Sequence, residues 1–446
     1  YRAALVMLAS QLAKIVQGQL VGDDFEFDHV AFSSNDCNAG TLFIALPGSK
    51  THGAKFASQA IENGATGLLT DVEPGVGSYV LVPDAFEAVK ELGKILVKSY
   101  SGKIVVVLGA SGKTTLKELA RSLAPVGVWS SYGNRNTIIS LVTDLFNERE
   151  SALSAPYWIL EFGIHDKKDA DDFLAVFNPY AALFTSLGAE HLEFLENVEV
   201  AVRTNLKVGM TAEKRFALVS DEFTVDDAVL FGAPGTSAWF DIGSFTCDGC
   251  TLGTLICDDQ EKDIVLPFWG KRSAQSVAGA AAFWVSEGFT LDDLPWENLD
   301  NINIWGRQQL TRWNDLLIFF DAYNANPESM REFLEVVSEV PYDKKGLVIG
   351  DMLELGEYSH YWHRKLAHWL KRSGVQYLIL VGNEVKYTLQ ELEKVDGHAI
   401  YVEWYRDVET AKSFFMIPED IELLGLKGSR RIALEKLIQE VSEVEF

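Results

Sequence analysis

The stretch Ile104-Val105-Val106-Val107-Leu108-Gly109-Ala110-Ser111-Gly112-Lys113-Thr114-Thr115 decides the fold. Five consecutive apolar residues make a strand buried on both faces, the kind found in parallel sheets covered by helices. A glycine-rich turn follows and opens directly into the helical pattern of residues 116–123. Glycines let the chain turn so that successive N–H groups face inward onto phosphate oxygens, while the helix N-terminus adds partial positive charge and Lys113 a mobile cation. The Thr114 hydroxyl is then placed to ligate Mg²⁺. A full P-loop would carry glycine at position 107, where this chain has Val107, so the motif is a shortened form. Nucleotide phosphate binding is expected at Gly109, Ser111, Gly112, Lys113, Thr114 and Thr115.

Outward from this motif, short apolar runs alternate with helix-like segments, which is the α/β signature. Before it, runs at 42–46, 67–69 and 79–82 alternate with helical patterns at 55–63 and 85–99, and Ser101-Gly102-Lys103 marks a boundary. After it, runs at 157–160 and 181–184 lead into a Gly/Thr/Asp-rich stretch, 232–263, read as short strands and turns, and then a small-residue helix over 274–286. A third cycle follows Gly306-Arg307, with runs at 316–320, 346–349 and 377–381 and a terminal helix predicted over 429–441. The reading is an α/β chain of three domains, 1–102, 103–307 and 308–446.

Composition narrows the function classes. The chain has 446 residues, 48% hydrophobic, with 26 Phe, 14 Tyr and 11 Trp, enough for several packed cores and unlike a disordered chain. Its formal charge of −25 opposes a polyanion, so nucleic acid is not expected as a partner, although a small phosphorylated ligand still suits a local positive site. Four cysteines are too few for a disulfide framework, which fits a reducing, cytoplasmic setting. No apolar run approaches the roughly 18 residues of a membrane span, and the opening residues lack a basic n-region and an h-region. A first residue other than Met leaves room for a preceding segment.

A phosphate site with a divalent metal calls for carboxylates or imidazoles at neighbouring strand ends. Glu161 ends the run 157–160, and His191 lies beyond the run 181–184 in Gly188-Ala189-Glu190-His191-Leu192-Glu193, where Glu190 or Glu193 is an alternative ligand. In the third unit Asp321-Ala322-Tyr323-Asn324-Ala325-Asn326-Pro327 follows an apolar strand and precedes a helix over 328–337. Polar clusters at strand carboxyl ends bind ligands in open α/β sheets, and a capping turn accounts for the same residues without function. Gly350-Asp351-Met352-Leu353-Glu354-Leu355-Gly356 also sits at a strand end. Lys427-Gly428-Ser429-Arg430-Arg431 is read as the basic start of the last helix, an anion site by charge and dipole. Cys247-Asp248-Gly249-Cys250 has metal-ligand spacing but no second pair, and a hairpin turn is the favoured reading over zinc.

Together these residues resemble the Mur ligase family, and the resemblance runs from Gly40-Thr41-Leu42-Phe43-Ile44-Ala45-Leu46-Pro47-Gly48 through the phosphate loop and Gly188 to Glu193, then to the Tyr323, Gly350 and Lys427 clusters. It implies an N-terminal domain for a UDP-sugar peptide, a central ATPase domain and a C-terminal Rossmann-like domain. The implied activity is ATP- and Mg²⁺-dependent addition of D-Ala-D-Ala to a UDP-N-acetylmuramoyl-tripeptide through an acyl phosphate, in peptidoglycan synthesis, by a cytoplasmic monomer. By the same resemblance Lys113, Glu161, His191 and Arg307 are catalytic, with Thr114, Glu161 and His191 on metal. Asn134, Asn136 and Asp321 would join the loop at the nucleotide, Asp321 at its ribose, and Tyr323, Asn324, Asn326, Lys427, Ser429 and Arg430 would hold the incoming dipeptide. Some positions differ from the family's pattern. Asn205 stands where a carbamylated lysine is implied, with Lys207 two residues further on, and Thr137 stands where a third asparagine is usual. Gly270-Lys271-Arg272-Ser273, Ser276 and Ser33-Ser34-Asn35 also depart from it. A repurposed, non-catalytic paralogue that binds nucleotide or peptide, and a related amide ligase with another acceptor, are the alternative readings.

Overall fold

The computed structural model describes residues 6–48, 50–188, 195, 197–220, 222–302, 304–313, 316–394, 400–414 and 416–441. Three sheets of five, nine and six strands organise the chain, with a two-stranded ribbon pairing Met7–Leu8 and Glu26–Phe27.

The nine-stranded sheet is built around Lys103–Leu108, flanked in parallel by Tyr157–Glu161 on one side and Ala181–Phe184 on the other. Val128–Ser130 closes one edge, and Lys214–Leu218 and Val229–Phe231 continue the parallel order on the other. The stretch read as short strands and turns forms an antiparallel meander of Ala238–Phe245, Thr251–Cys257 and Gln260–Leu266. Its alternation of buried and exposed residues is that of a sheet wet on one face, which let many polar residues sit in regular strands. Cys247 and Cys250 lie in the turn between the first two of these strands, as the hairpin reading expected, and all four cysteines are free.

The helix Lys271–Ser286 packs on this sheet and is buried along most of its length. Its small residues serve close approach: a Cβ on Gly279 would meet the Phe231 ring at 2.7 Å. Trp284, fully buried, donates its indole N–H to the Ala120 carbonyl at 2.7 Å, tying this helix to the phosphate-loop helix Lys113–Ser122.

The five-stranded sheet runs Gln19–Val21, Tyr79–Leu81, Ala65–Thr70, Thr41–Ala45, His29–Ala31, parallel except for the first pair. Its helix Ala85–Lys98 faces Ile138–Asn147 and Asp169–Val176 of the middle unit, so one hydrophobic core spans both. Glycine at position 93 makes this possible, since a Cβ there would meet Val142 and Val176 at 2.7 Å. Lys90 and Asp172 pair across the seam at 2.7 Å, and Asn147 exchanges two hydrogen bonds with the Val30 backbone.

The third sheet is ordered Gln309–Trp313, Leu316–Asp321, Leu423–Lys427, Lys345–Gly350, Tyr377–Val381, Tyr401–Tyr405, parallel after the opening hairpin. Two expectations are corrected here. Lys427 does not open a helix; it ends a central strand that is wholly buried. The predicted helix over 429–441 is a short 3-10 turn, Arg430–Ile432, broken by Ala433 in the left-handed region, then a kinked 3-10 segment Leu434–Val441. A turn that short has no appreciable macrodipole, so the dipole argument for an anion site at Arg430 and Arg431 falls.

Candidate active site

The strand Lys103–Leu108 hands the chain to Gly109 at φ +123°, where a Cβ would lie 2.2 Å from Thr185 Oγ1 and 2.7 Å from the Ser186 carbonyl. Only glycine fits that approach. The Ala110 amide donates to Ser186 at 2.7 Å and the Gly109 amide to Asn205 Oδ1 at 3.0 Å. Gly112, at φ +84°, is the N-cap of Lys113–Ser122, so the helix N-terminus points at the end of the turn. Lys113 Nζ folds back onto the Gly109 carbonyl. One turn on, Lys117 is fully buried and donates to the carbonyls of Ser131 and Gly133 at 2.5 and 2.7 Å, which pins the segment leading to Asn134 and Asn136.

Glu161, 1% exposed, is the hub of the floor. It receives the Thr114 hydroxyl at 2.7 Å on one oxygen and the Asn136 amide at 3.0 Å on the other, while its own N–H donates to Ser131 Oγ. Thr137, one of the departures noted above, caps Ile138–Asn147 in a reciprocal pair with Ser140.

The opposite wall comes from the third sheet. Asp321 ends its strand and meets Lys427 Nζ at 2.9 Å from the neighbouring strand. That lysine, 2% exposed, also donates to the carbonyls of Asp321 and Asn324, holding the turn Ala322 to Asn326 in place. Asn326 caps Pro327–Glu339 through Ser329 and still faces the cleft, so the capping and the ligand readings of this cluster describe the same residues. Arg307 lies over the Tyr323 ring at 4.8 Å. Burial pushes the Tyr323 hydroxyl up from its usual range, with Arg307 pulling against it.

The two walls enclose one cleft of about 220 Å³ that brings together Ser111, Gly112, Lys113, Thr115, Asn134, Asn136, Glu161, Arg307, Asp321, Tyr323, Asn324, Asn326 and Lys427. Gly109 and Thr114 stand directly behind its floor. Ser429, also behind the wall, accepts from the Leu353 amide and donates to the Ala325 carbonyl. Arg430 is drawn away from the lining, stacking on Trp305 at 4.5 Å and pairing with Glu435. His191, with Glu190 and Glu193, lies outside the described residues.

Several cleft residues were not anticipated as ligands. Arg272 reaches from the start of Lys271–Ser286 across to Glu328, at 2.9 Å, and to Glu332 on the helix Pro327–Glu339, riveting the two walls. Burial raises the Glu332 carboxyl against the pull of Arg272. Ser273 donates to Gln308, and His165 lies four residues beyond Glu161 on the same rim. The available signals were the basic Arg272 after a glycine and the one-turn spacing of Glu328 and Glu332.

Thr114 and Glu161 offer hard oxygen donors beside the glycine-rich turn. That donor set suits Mg²⁺, which is held by one or two carboxylates and completes its shell with waters and phosphate oxygens.

Comparison with known proteins follows the same outline. Residues 26–101 match the Mur ligase family catalytic domain, 107–224 the Mur ligase middle domain, and 306–429 the Mur ligase glutamate ligase domain. A UDP-N-acetylmuramoyl-tripeptide–D-alanyl-D-alanine ligase of Rickettsia prowazekii is 25% identical over 96% of this chain and 98% of its own. Among solved structures, MurF from Acinetobacter baumannii superposes with TM-score 0.86 at 22% identity, covering 99% of this chain and all of that one. MurF ligase from Thermotoga maritima, crystallised with ADP, superposes with TM-score 0.78 at 21% identity over 93% of this chain and 97% of its own. A phosphate loop facing a polar strand-end cluster, and three consecutive domain matches in one chain, lead to one conclusion: the protein belongs to the Mur ligase family.

Proposed function

We propose that the protein is an ATP-dependent amide ligase that joins D-alanyl-D-alanine to UDP-N-acetylmuramoyl-tripeptide in peptidoglycan synthesis. The observation that carries this is the single cleft shared by the phosphate loop and the Asp321 to Asn326 cluster, in a chain aligned end to end with ligases of that name. ATP lies with its phosphates on the turn Ser111 to Lys113, where backbone N–H groups and the helix N-terminus meet negative charge. The peptide carboxylate attacks the γ-phosphorus, the bond to the bridging oxygen breaks, and ADP and an acyl phosphate result. The deprotonated dipeptide amine then attacks the acyl carbon, and inorganic phosphate leaves with the C–O electron pair.

In this scheme Lys113 swings from the Gly109 carbonyl onto the transferring phosphoryl group and Arg307 approaches from the facing wall, both stabilising charge that grows in the transition state. Thr114 and Glu161 would hold Mg²⁺, which neutralises phosphate charge when bound. Asn134 and Asn136 flank the phosphates, and Asp321, fixed by Lys427, stands where a ribose hydroxyl can be met. Tyr323, Asn324 and Asn326 present the dipeptide, with Lys427 and Ser429 holding their turn from behind; Arg430 joins only by leaving Glu435. His191 is assigned a second metal by resemblance alone. We place the enzyme in the cytoplasm, where free thiols persist and ATP is available, and as a monomer, because one chain supplies both walls. The test is phosphate release from purified protein given ATP, Mg²⁺, UDP-tripeptide and D-Ala-D-Ala. Release only when all are present supports the reading; tight nucleotide binding with no turnover would return the non-catalytic alternative.

A further inference from the structure

Asn205 occupies the middle of the helix Val198–Gly209 and is 2% exposed. Its amide is used from both ends: Nδ2 donates to the Ala201 carbonyl one turn back at 3.0 Å, and Oδ1 accepts the Gly109 N–H at 3.0 Å. The first bond fixes the orientation of the second, since a carboxamide whose nitrogen is held by its own helix can only present oxygen to the loop. Gly109 is the residue where the chain leaves the central strand, and the directions of the following peptides depend on how that one is set. Its N–H goes to Asn205, the next amide to Ser186, and its carbonyl takes Lys113. The start of the turn is thereby anchored to neighbouring elements, ahead of the helix N-terminus at Gly112 and Lys113 that lines the cleft.

We propose that Asn205 is a positioning residue of the phosphate loop, a neutral acceptor that sets the Gly109 peptide so that the loop is ready for nucleotide before it binds. The inference rests on the ligase reading for its nucleotide, but its geometry stands without it. A buried N–H deprived of its acceptor carries a desolvation penalty, so removing the oxygen favours rotation of the peptide toward another partner.

The test compares Asn205→Leu, which removes the acceptor at similar volume, with Asn205→Asp, which keeps an acceptor oxygen. Amide hydrogen exchange is followed in the segment 105–115 and in 198–209, and magnesium ADP binding is measured by calorimetry on the wild type and Asn205→Leu. Asn205→Leu should speed exchange in 105–115 alone and weaken magnesium ADP about tenfold, and in turnover raise KM for ATP more than it lowers kcat. Asn205→Asp keeps an oxygen for Gly109 but loses the nitrogen that orients it, so its exchange in 105–115 should be slower than that of Asn205→Leu. Unchanged affinity in Asn205→Leu, equally fast exchange in both variants, or protection lost over 198–209 as much as over the loop would each overturn the proposal. A wild type that binds no magnesium ADP would sink the ligase reading, while the exchange comparison would still decide whether Asn205 holds the loop.

Discussion

The two ends of the nine-stranded sheet use the same kinds of residue for opposite purposes. At the carboxyl end of Lys103–Leu108, polar groups are gathered around a cavity, Lys113 rests on a carbonyl it can leave, and glycines at positive φ replace side chains. At the amino end, the Glu287 side chain is 1% exposed and receives Lys103, Lys214 at 2.7 Å, and the hydroxyls of Tyr157 and Tyr180 at 2.6 and 2.8 Å. Those four partners stand at the starts of four neighbouring strands, so one carboxylate ties the parallel sheet to the end of Lys271–Ser286. Burial alone would raise the Glu287 carboxyl, but hydrogen bonds from Lys103, Lys214, Tyr157 and Tyr180 more than offset it and bring it from 4.5 to about 2. A carboxylate surrounded by four strand starts stabilises the fold, whereas the polar groups that line the cleft stand where a ligand can meet them.

Substitutions at the two ends should therefore separate turnover from stability. Lys113→Ala should lower kcat about 100-fold or more, measured by phosphate release, with the melting temperature nearly unchanged. An equal loss of both would erase the distinction. Glu287→Gln should do the reverse, costing about 1–2 kcal/mol in urea unfolding because two half-exposed lysines lose their shared counter-charge, while turnover per folded molecule stays at the wild-type value.

Acid sharpens the contrast further. Because the folded carboxyl of Glu287 titrates at about 2 rather than 4.5, its stabilising contribution is complete above pH 4.5 and is lost as pH falls toward 2. The stability gap between wild type and Glu287→Gln should be wide at pH 6 and narrow progressively below pH 4.5; a constant gap would show that the hub does not titrate as the geometry requires. On the active-site side Thr137→Ala should cost about 1 kcal/mol through loss of the cap on Ile138–Asn147. The smallest effect is an expected zero. Position 205 offers no amine to carbon dioxide, and Lys207 is paired with Asp171 at 2.5 Å, so depleting bicarbonate from the assay should leave the rate unchanged.

Legibility in the sequence followed the range of the interaction. The strand, turn and helix around Gly109 were plain, because an apolar run, glycines and a helix pattern are local signals. Leu423–Lys427 was not, although it is a central strand: it is short, contains Gly425, and its place between Leu316–Asp321 and Lys345–Gly350 is set by partners a hundred residues away. The meander was legible as strands and turns but not in its pairing, because its polar residues sit on a solvent face that only the sheet defines. At the site, Glu161 and Asp321 were found from their strand ends, whereas Arg272 and Glu332 gain their meaning from meeting each other across the cleft.

By itself, then, the sequence determined an α/β chain with a glycine-rich turn between strand and helix and a set of polar residues at strand ends, since backbone periodicity, glycine and helix polarity act over a few residues. Tertiary structure alone decided that the middle and third sheets face each other across one cleft, that Asn205 holds Gly109, and that Glu287 collects four strand starts. Those outcomes depend on which buried polar groups find partners in space, and the energy of such a pairing resides in neither residue until the fold brings both together.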